Sequence, residues 1–219
     1  MENRIVRYLI AVLMVAVTTA GQVYADDAPR FEENVNYDLI VPEPEQGKVG
    51  DKIEVAEFFM WSCPHCFHFE PFLKEWLKRK PKDVEFVRIP AMFGGSANMH
   101  AKAFYALEAI GELDRVSDAF FNEIHVKHNR LKTREALDAF IASQGVDMEK
   151  FRAAMDSFAV AAKSNRAAVL MRRYGVRGVP ALVVDGRYRS GRGLDFKELI
   201  ELADYLVERV RKERQEASN

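Results

Sequence analysis

The chain has 219 residues, with 32 lysines and arginines against 33 aspartates and glutamates, and it contains only two cysteines. A formal net charge of −1 gives no electrostatic reason to expect nucleic acid or an anionic membrane surface as partner. The chain has no internal repeat and no low-complexity segment, so it reads as an ordinary globular protein able to bury a sizeable core.

Arg4 and Arg7 precede an apolar run from Tyr8 to Val17, and Val23-Tyr24-Ala25 stands before Asp26-Asp27. A positive leader, a short apolar stretch and a small-x-Ala end predict a secretory signal over 1–25, cleaved after Ala25. The apolar run is shorter than the ~20 residues of a spanning helix, and no cysteine near the cut offers a lipid anchor. Cleavage takes Glu2, Arg4 and Arg7 with it, leaving 194 residues with 30 basic against 32 acidic side chains. The expected product is exported and soluble, in an oxidising compartment where a dithiol can cycle.

Residues 26–50 carry three prolines and several acids and read as an extended lead-in, with Tyr37–Val41 a possible edge strand. Ile53–Phe59 is a predicted strand, apolar on both faces toward its end as a buried central strand is. From Pro64 to about Lys80 the apolar spacing becomes helical. Pro64 falls where a first turn tolerates proline, and Pro71 is expected to kink the interior. Val84–Ile89 is a second predicted strand, closed by Pro90 and Gly94-Gly95.

A long helical stretch follows from Ala97 to Tyr174, punctuated by Gly111, Thr133, Gly145-Val146-Asp147 and Gly175. Its phenylalanines and leucines recur at the spacing of buried helix faces. Asp185-Gly186 between Ala181–Val184 and Tyr188–Ser190 is a hairpin signal. Asp195 can cap a last helix from Phe196 to about Lys212, beyond which the polar residues are expected to fray.

Chemistry concentrates at Cys63-Pro64-His65-Cys66. A disulfide closing so small a ring removes little unfolded-chain entropy, roughly 2 kcal/mol, so bracing the fold is a poor explanation for it. The spacing lets one sulfur be exposed at a helix start while the second waits in the first turn, which suits a reversible dithiol. Cys63 is the candidate nucleophile, because unpaired N–H groups and the helix dipole favour an anion there. His65 adds positive charge or a hydrogen bond. Cys66 is the candidate resolving thiol. A stable thiolate leaves readily, so the pair is expected to act as an oxidant whose reduced form is the stable one.

Zinc binding is a weaker reading, since zinc takes four ligands and there is no second cysteine pair. Covalent haem needs histidine directly after the second cysteine, where Phe67 stands. No metal and no cofactor is called for. His125 and His128 read as a solvated helix face, and Arg166, Arg172, Arg173, Arg177, Arg187, Arg189 and Arg192 as scattered surface charge.

The motifs Val55-Ala56-Glu57-Phe58-Phe59, Cys63-Pro64-His65-Cys66, Met92-Phe93-Gly94-Gly95 and Gly178-Val179-Pro180 together resemble the DsbA family of periplasmic thiol:disulfide interchange proteins. The resemblance implies an α/β, thioredoxin-like fold over 26–96 and 175–219, with a large inserted helical domain over 97–174. It implies that Cys63 and Cys66 form the redox-active disulfide, tuned by Pro64 and His65. Val179 and Pro180 would form a cis-proline loop that pairs with substrate backbone. Glu57 would be a buried acid relaying protons to Cys66, with Arg88 the nearest candidate for its basic partner. Trp61 and Phe93 are expected near the dithiol, contributing to an apolar substrate surface.

As implied by the resemblance, a monomeric periplasmic oxidase would donate the Cys63–Cys66 disulfide to exported proteins with free cysteines. A DsbB-like membrane partner would reoxidise it. The rival readings are a reductase or isomerase of the DsbC type, for which 26–50 is too short to be a dimerisation domain, and a thioredoxin-like module delivering Cu(I).

Overall fold

The computed structural model describes residues 30–42 and 52–218. The proposed signal over 1–25 and most of the lead-in after Val41-Pro42 lie outside these residues. Five strands form one mixed sheet in the order β1-β5-β4-β2-β3. They are β1 (Tyr37–Leu39), β2 (Ile53–Phe59), β3 (Val84–Pro90), β4 (Ala181–Val184) and β5 (Tyr188–Ser190).

β2 is buried along almost its whole length, as its run of apolar residues requires. It pairs in parallel with β3 and antiparallel with β4. β1 lies at the edge, antiparallel to β5. The β4–β5 hairpin turns on Asp185 and Gly186, both at positive φ, the backbone that Asp-Gly favours.

Helix α1 (Pro64–Arg79) follows β2 directly, begins on proline and passes through Pro71 without interruption. Between β3 and β4 come α2 (Gly95–Ala109), α3 (Leu113–His125), α4 (Arg134–Ser143), α5 (Met148–Met155) and α6 (Phe158–Arg173). The breaks at Gly111, Thr133 and Gly145 fall where glycine or a cap residue predicts them. One more falls at Ser157, whose side chain accepts the Val160 N–H; no glycine or proline marks it in the sequence.

α7 (Phe196–Glu216) starts on a complete capping box between Asp195 and Glu198. It runs past Lys212, where fraying was the expectation. Arg211 bonds Asp83 and Arg214 bonds Asp185, so pairing with the sheet's loops holds the polar end in place.

Two hydrophobic clusters flank the sheet. Ile53 and Val55 of β2 join Phe69, Leu73 and Trp76 of α1 and the apolar stripe of α7. Ala56 and Phe58 join Phe104, Phe120, Phe140 and Phe151 from the helices between β3 and β4. The alternation of a strand thus sends Val55 and Ala56 into different cores, while Phe59 joins Phe58 in the second cluster. Both cysteines belong to the second cluster, at the seam between α1 and the intervening helices. Among the described residues no helix is long and apolar enough to cross a membrane.

Candidate active site

Cys63 is the N-cap of α1, with extended backbone, and its Sγ accepts the Cys66 N–H at 3.4 Å. A sulfur in this position meets amide groups that no carbonyl of the helix can satisfy. Both cysteines are free thiols. Cys63 keeps 7% of its surface and Cys66 none. The candidate nucleophile is therefore recessed, where the spacing led us to expect it exposed. The cover comes partly from the loop before β4, since Cys63 Sγ lies 3.4 Å from the Val179 carbonyl oxygen.

The environment drives the two thiols apart. The Cys66 thiol, donating to the Cys63 sulfur, lowers the Cys63 pKa to about 6; burial opposes it, while the Cys66 and His65 N–H groups and the His65 charge assist. Burial pushes the Cys66 thiol upward, and its donation to Cys63, the Cys63 charge and Glu57 push it the same way. The Val179 carbonyl can accept a proton from Cys63 only while Cys63 is a thiol, so that contact is lost on ionisation.

His65 and Pro64 are exposed on the first turn of α1. The Val179–Pro180 peptide bond is cis. His65, Val179 and Pro180 line one open groove of about 1040 Å³. The structure thus brings together the dithiol, the residues between its cysteines and the Gly-Val-Pro loop, although Cys63 and Val179 are 116 positions apart in sequence.

Comparison with known proteins agrees with this geometry. A family model described as "DSBA-like thioredoxin domain" matches residues 54–206. The chain belongs to the DsbA family. It is 41% identical over 205 residues to the thiol:disulfide interchange protein DsbA of Pseudomonas aeruginosa, covering 93% of this chain and 95% of that protein. It is 39% identical over 171 residues to the Burkholderia cepacia protein of the same name, covering 77% and 80%.

The crystal structure of P. aeruginosa DsbA superimposes with a TM-score of 0.78 at 40% identity, covering 86% of this chain and 97% of that one. That of the oxidoreductase DsbA from Xylella fastidiosa gives 0.74 at 34% identity, covering 81% and 96%. The fold is accordingly the thioredoxin-like α/β fold of this family, and the protein is a thiol:disulfide oxidoreductase.

Beneath the dithiol of this DsbA-family chain lies an ion network that the sequence only half discloses. Glu57 is fully buried. Arg88 pairs with it, Nε donating to Oε2 at 2.7 Å, and donates from Nη2 to Glu70 of α1 as well. The guanidinium also stands 4.5 Å from the Phe59 ring centroid. Burial raises the Glu57 pKa, with Arg88 pulling the other way. Glu57 Oε1 has no hydrogen-bond partner. Arg88 is thus the basic partner of Glu57, and Glu70 is a third member absent from the sequence reading. Its one signal is position: seven residues after Cys63, two turns down the same helix face.

Other expectations need correction. Trp61 is 2% exposed, stacked on Phe120 with centroids 3.9 Å apart, and offers no surface to a substrate. Phe93 does remain exposed. His125 is not on a solvated face: it donates from Nε2 to the Trp61 carbonyl at 2.7 Å and stacks on Phe67 of α1 at 4.9 Å. Contacts spanning more than fifty residues leave no local pattern, and the helical spacing alone cannot report them. Of the arginines taken as scattered charge, Arg187 pairs with Glu213 and Arg189 with Asp38.

Proposed function

We propose that Cys63 and Cys66 are the pair with which this oxidoreductase passes its disulfide to exported proteins bearing free cysteines. The observation that carries this reading is the opposed tuning of two thiols in one helical turn. Cys63 is held near a pKa of about 6, while Cys66 is pushed up. A substrate thiolate attacks Cys63 Sγ, the Cys63–Cys66 bond breaks, and a mixed disulfide forms. The electron pair of the broken bond goes to Cys66, which takes up a proton because its anion is disfavoured. A second substrate thiolate then attacks the substrate's own sulfur in the mixed disulfide. Cys63 leaves as the stabilised thiolate, and the substrate carries the new disulfide.

Glu57, buried beside Cys66 with one oxygen unpartnered, is the candidate proton relay. Pro64 and His65 tune the Cys63 anion, and Val179 and Pro180 form the backbone edge that a bound substrate meets. Residues 26–96 and 175–219 act as the thioredoxin-like domain. Residues 97–174 act as an inserted helical domain whose Phe120, Phe121 and His125 pack around Trp61 and Phe67 at the dithiol. The work is done as a periplasmic monomer after cleavage behind Ala25, with a DsbB-like membrane protein restoring the disulfide.

The deciding experiment is the redox equilibrium of the purified protein with glutathione. An oxidase stays reduced until the buffer is strongly oxidising. A pair oxidised already in mildly reducing buffer would place the chain with the reductases.

A further inference from the structure

The groove beside the dithiol carries charge that the exchange reaction does not use. Its charged walls are three arginines, Arg177, Arg189 and Arg192, against one aspartate, Asp38, with His65 at the dithiol end. Arg189 is already committed. It pairs with Asp38 and donates to the Tyr174 and Gly175 carbonyls, so those two charges cancel and the arginine serves to fix the loop behind α6. Arg177 and Arg192 are exposed, and among the described residues neither is in an ion pair. Asp195, the acid nearest Arg192 in sequence, is turned into the cap of α7, accepting the Glu198 N–H at 2.8 Å.

Arg177 and Arg192 both stand on loops held in place. Arg177 follows the Gly175 carbonyl that Arg189 grips, two residues before Val179. Arg192 lies between Gly191 and Gly193. The Gly191 N–H donates to the Asn36 carbonyl at 2.7 Å, and a Cβ there would stand 2.7 Å from that oxygen. Gly193 has φ +83°, a backbone that side chains other than glycine's rarely adopt. A guanidinium on an anchored loop loses less freedom on pairing than one on a mobile surface, and its fork matches a carboxylate.

The geometry points to a specificity device: Arg177 and Arg192 select extended substrate segments that carry aspartate or glutamate beside the reacting cysteine. The inference rests on the exchange reading of Cys63 and adds a substrate class to it. The occupant is an acidic peptide strand, because the groove is open, is lined from His65 past Arg192 to Leu194 just before α7, and has net positive charge along its walls. Steering by the same charge would also raise the encounter rate with acidic chains.

The test uses the full oxidised protein and three synthetic peptides, each with two cysteines and identical except for glutamate, glutamine or lysine on both sides of the first cysteine. Oxidation rate constants are divided by those of the same peptides with a neutral small-molecule disulfide, which removes the effect of flanking charge on the peptide thiol. The glutamate peptide is expected to exceed the lysine peptide about three- to tenfold. The ratio should fall toward one in high salt and in the Arg177→Gln/Arg192→Gln protein. Equal oxidation of all three peptides by the wild type, or a preference that survives the double substitution, overturns the inference and leaves the exchange reading standing. Failure to oxidise any of the peptides overturns both.

Discussion

Glu57 and Arg88 stand directly opposite one another in the parallel register of β2 and β3, and their side chains close an ion pair within the protein. Arg88 reaches Glu70 at the same time, so a single guanidinium answers two carboxylates, of which Glu57 is close enough to Cys66 to act on its thiol. Removing one partner from such a buried set leaves an uncompensated charge, which costs more than the intact pair contributes.

Arg88→Met is therefore expected to destabilise the protein by about 3 kcal/mol near neutral pH. Without the cation the Glu57 pKa rises further above its unfolded value. A group raised in this way binds its proton more readily in the folded state, so stability falls as pH rises through the unfolded and then the folded pKa. The penalty should be smaller at pH 5 than at pH 8. Urea denaturation of both proteins at the two pH values measures it, and an equal penalty at both would remove Glu57 from the account.

The register that makes this pair is legible in hindsight. Aligning the predicted strands at their starts, Ile53 with Val84, puts Glu57 beside Arg88. β2, the Asp185-Gly186 hairpin and the Asp195 cap were readable because each is specified by a few adjacent residues. Glu70, His125 and the buried Trp61 were not, because what fixes them lies on another element. The C-terminal end of α7 shows the same limit: polar composition suggests fraying, while Asp83 and Asp185, distant in sequence, hold the helix through Arg211 and Arg214.

The division of labour between the cysteines predicts opposite phenotypes. Cys63→Ser should abolish exchange, leaving less than about a hundredth of the wild-type rate. Cys66→Ser, reacted with a disulfide-bearing substrate, should still attack through Cys63 and accumulate a mixed disulfide that no internal thiol resolves. Mass spectrometry of the trapped adducts checks this. Equal trapping through Cys66 in the Cys63 variant would reverse the assignment.

The causes that lower the Cys63 pKa have an order, and the order can be tested. Donation from the Cys66 thiol is the largest cause, and the charge on the exposed His65 ring a smaller one. Titration of thiolate absorbance should show Cys66→Ala raising the Cys63 midpoint further than His65→Gln does. In the His65 variant, exchange at pH 7 should slow only a few-fold, because the helix-end N–H group of Cys66 remains. A larger rise in His65→Gln would make that exposed imidazole the principal tuner.

The same ionisation makes the stability of the reduced protein depend on pH in a way the oxidised protein cannot share. The folded Cys63 pKa, about 6, lies below its unfolded value near 8.5. A depressed pKa contributes stability that is complete above the unfolded value and lost as pH falls through the folded one. Over that window the contribution grows by up to ~1.4 kcal/mol per pH unit, reaching roughly 1 to 2 kcal/mol at pH 7 and 2 to 3 at pH 8. Against it stands the roughly 2 kcal/mol by which the four-residue disulfide ring restrains the unfolded oxidised chain. The two are comparable near neutrality, so the oxidised form should be the more stable at pH 6 and the reduced form at pH 8. Above pH 8.5 the Cys63 contribution is complete, and the gain should turn down, because the unfolded chain then ionises Cys66 while the folded chain keeps that thiol protonated. Paired denaturant melts of reduced and oxidised protein from pH 5 to 9 measure the difference directly. A difference independent of pH across this range would mean that Cys63 is not a thiolate in the folded protein, and the oxidase mechanism would lose its leaving group.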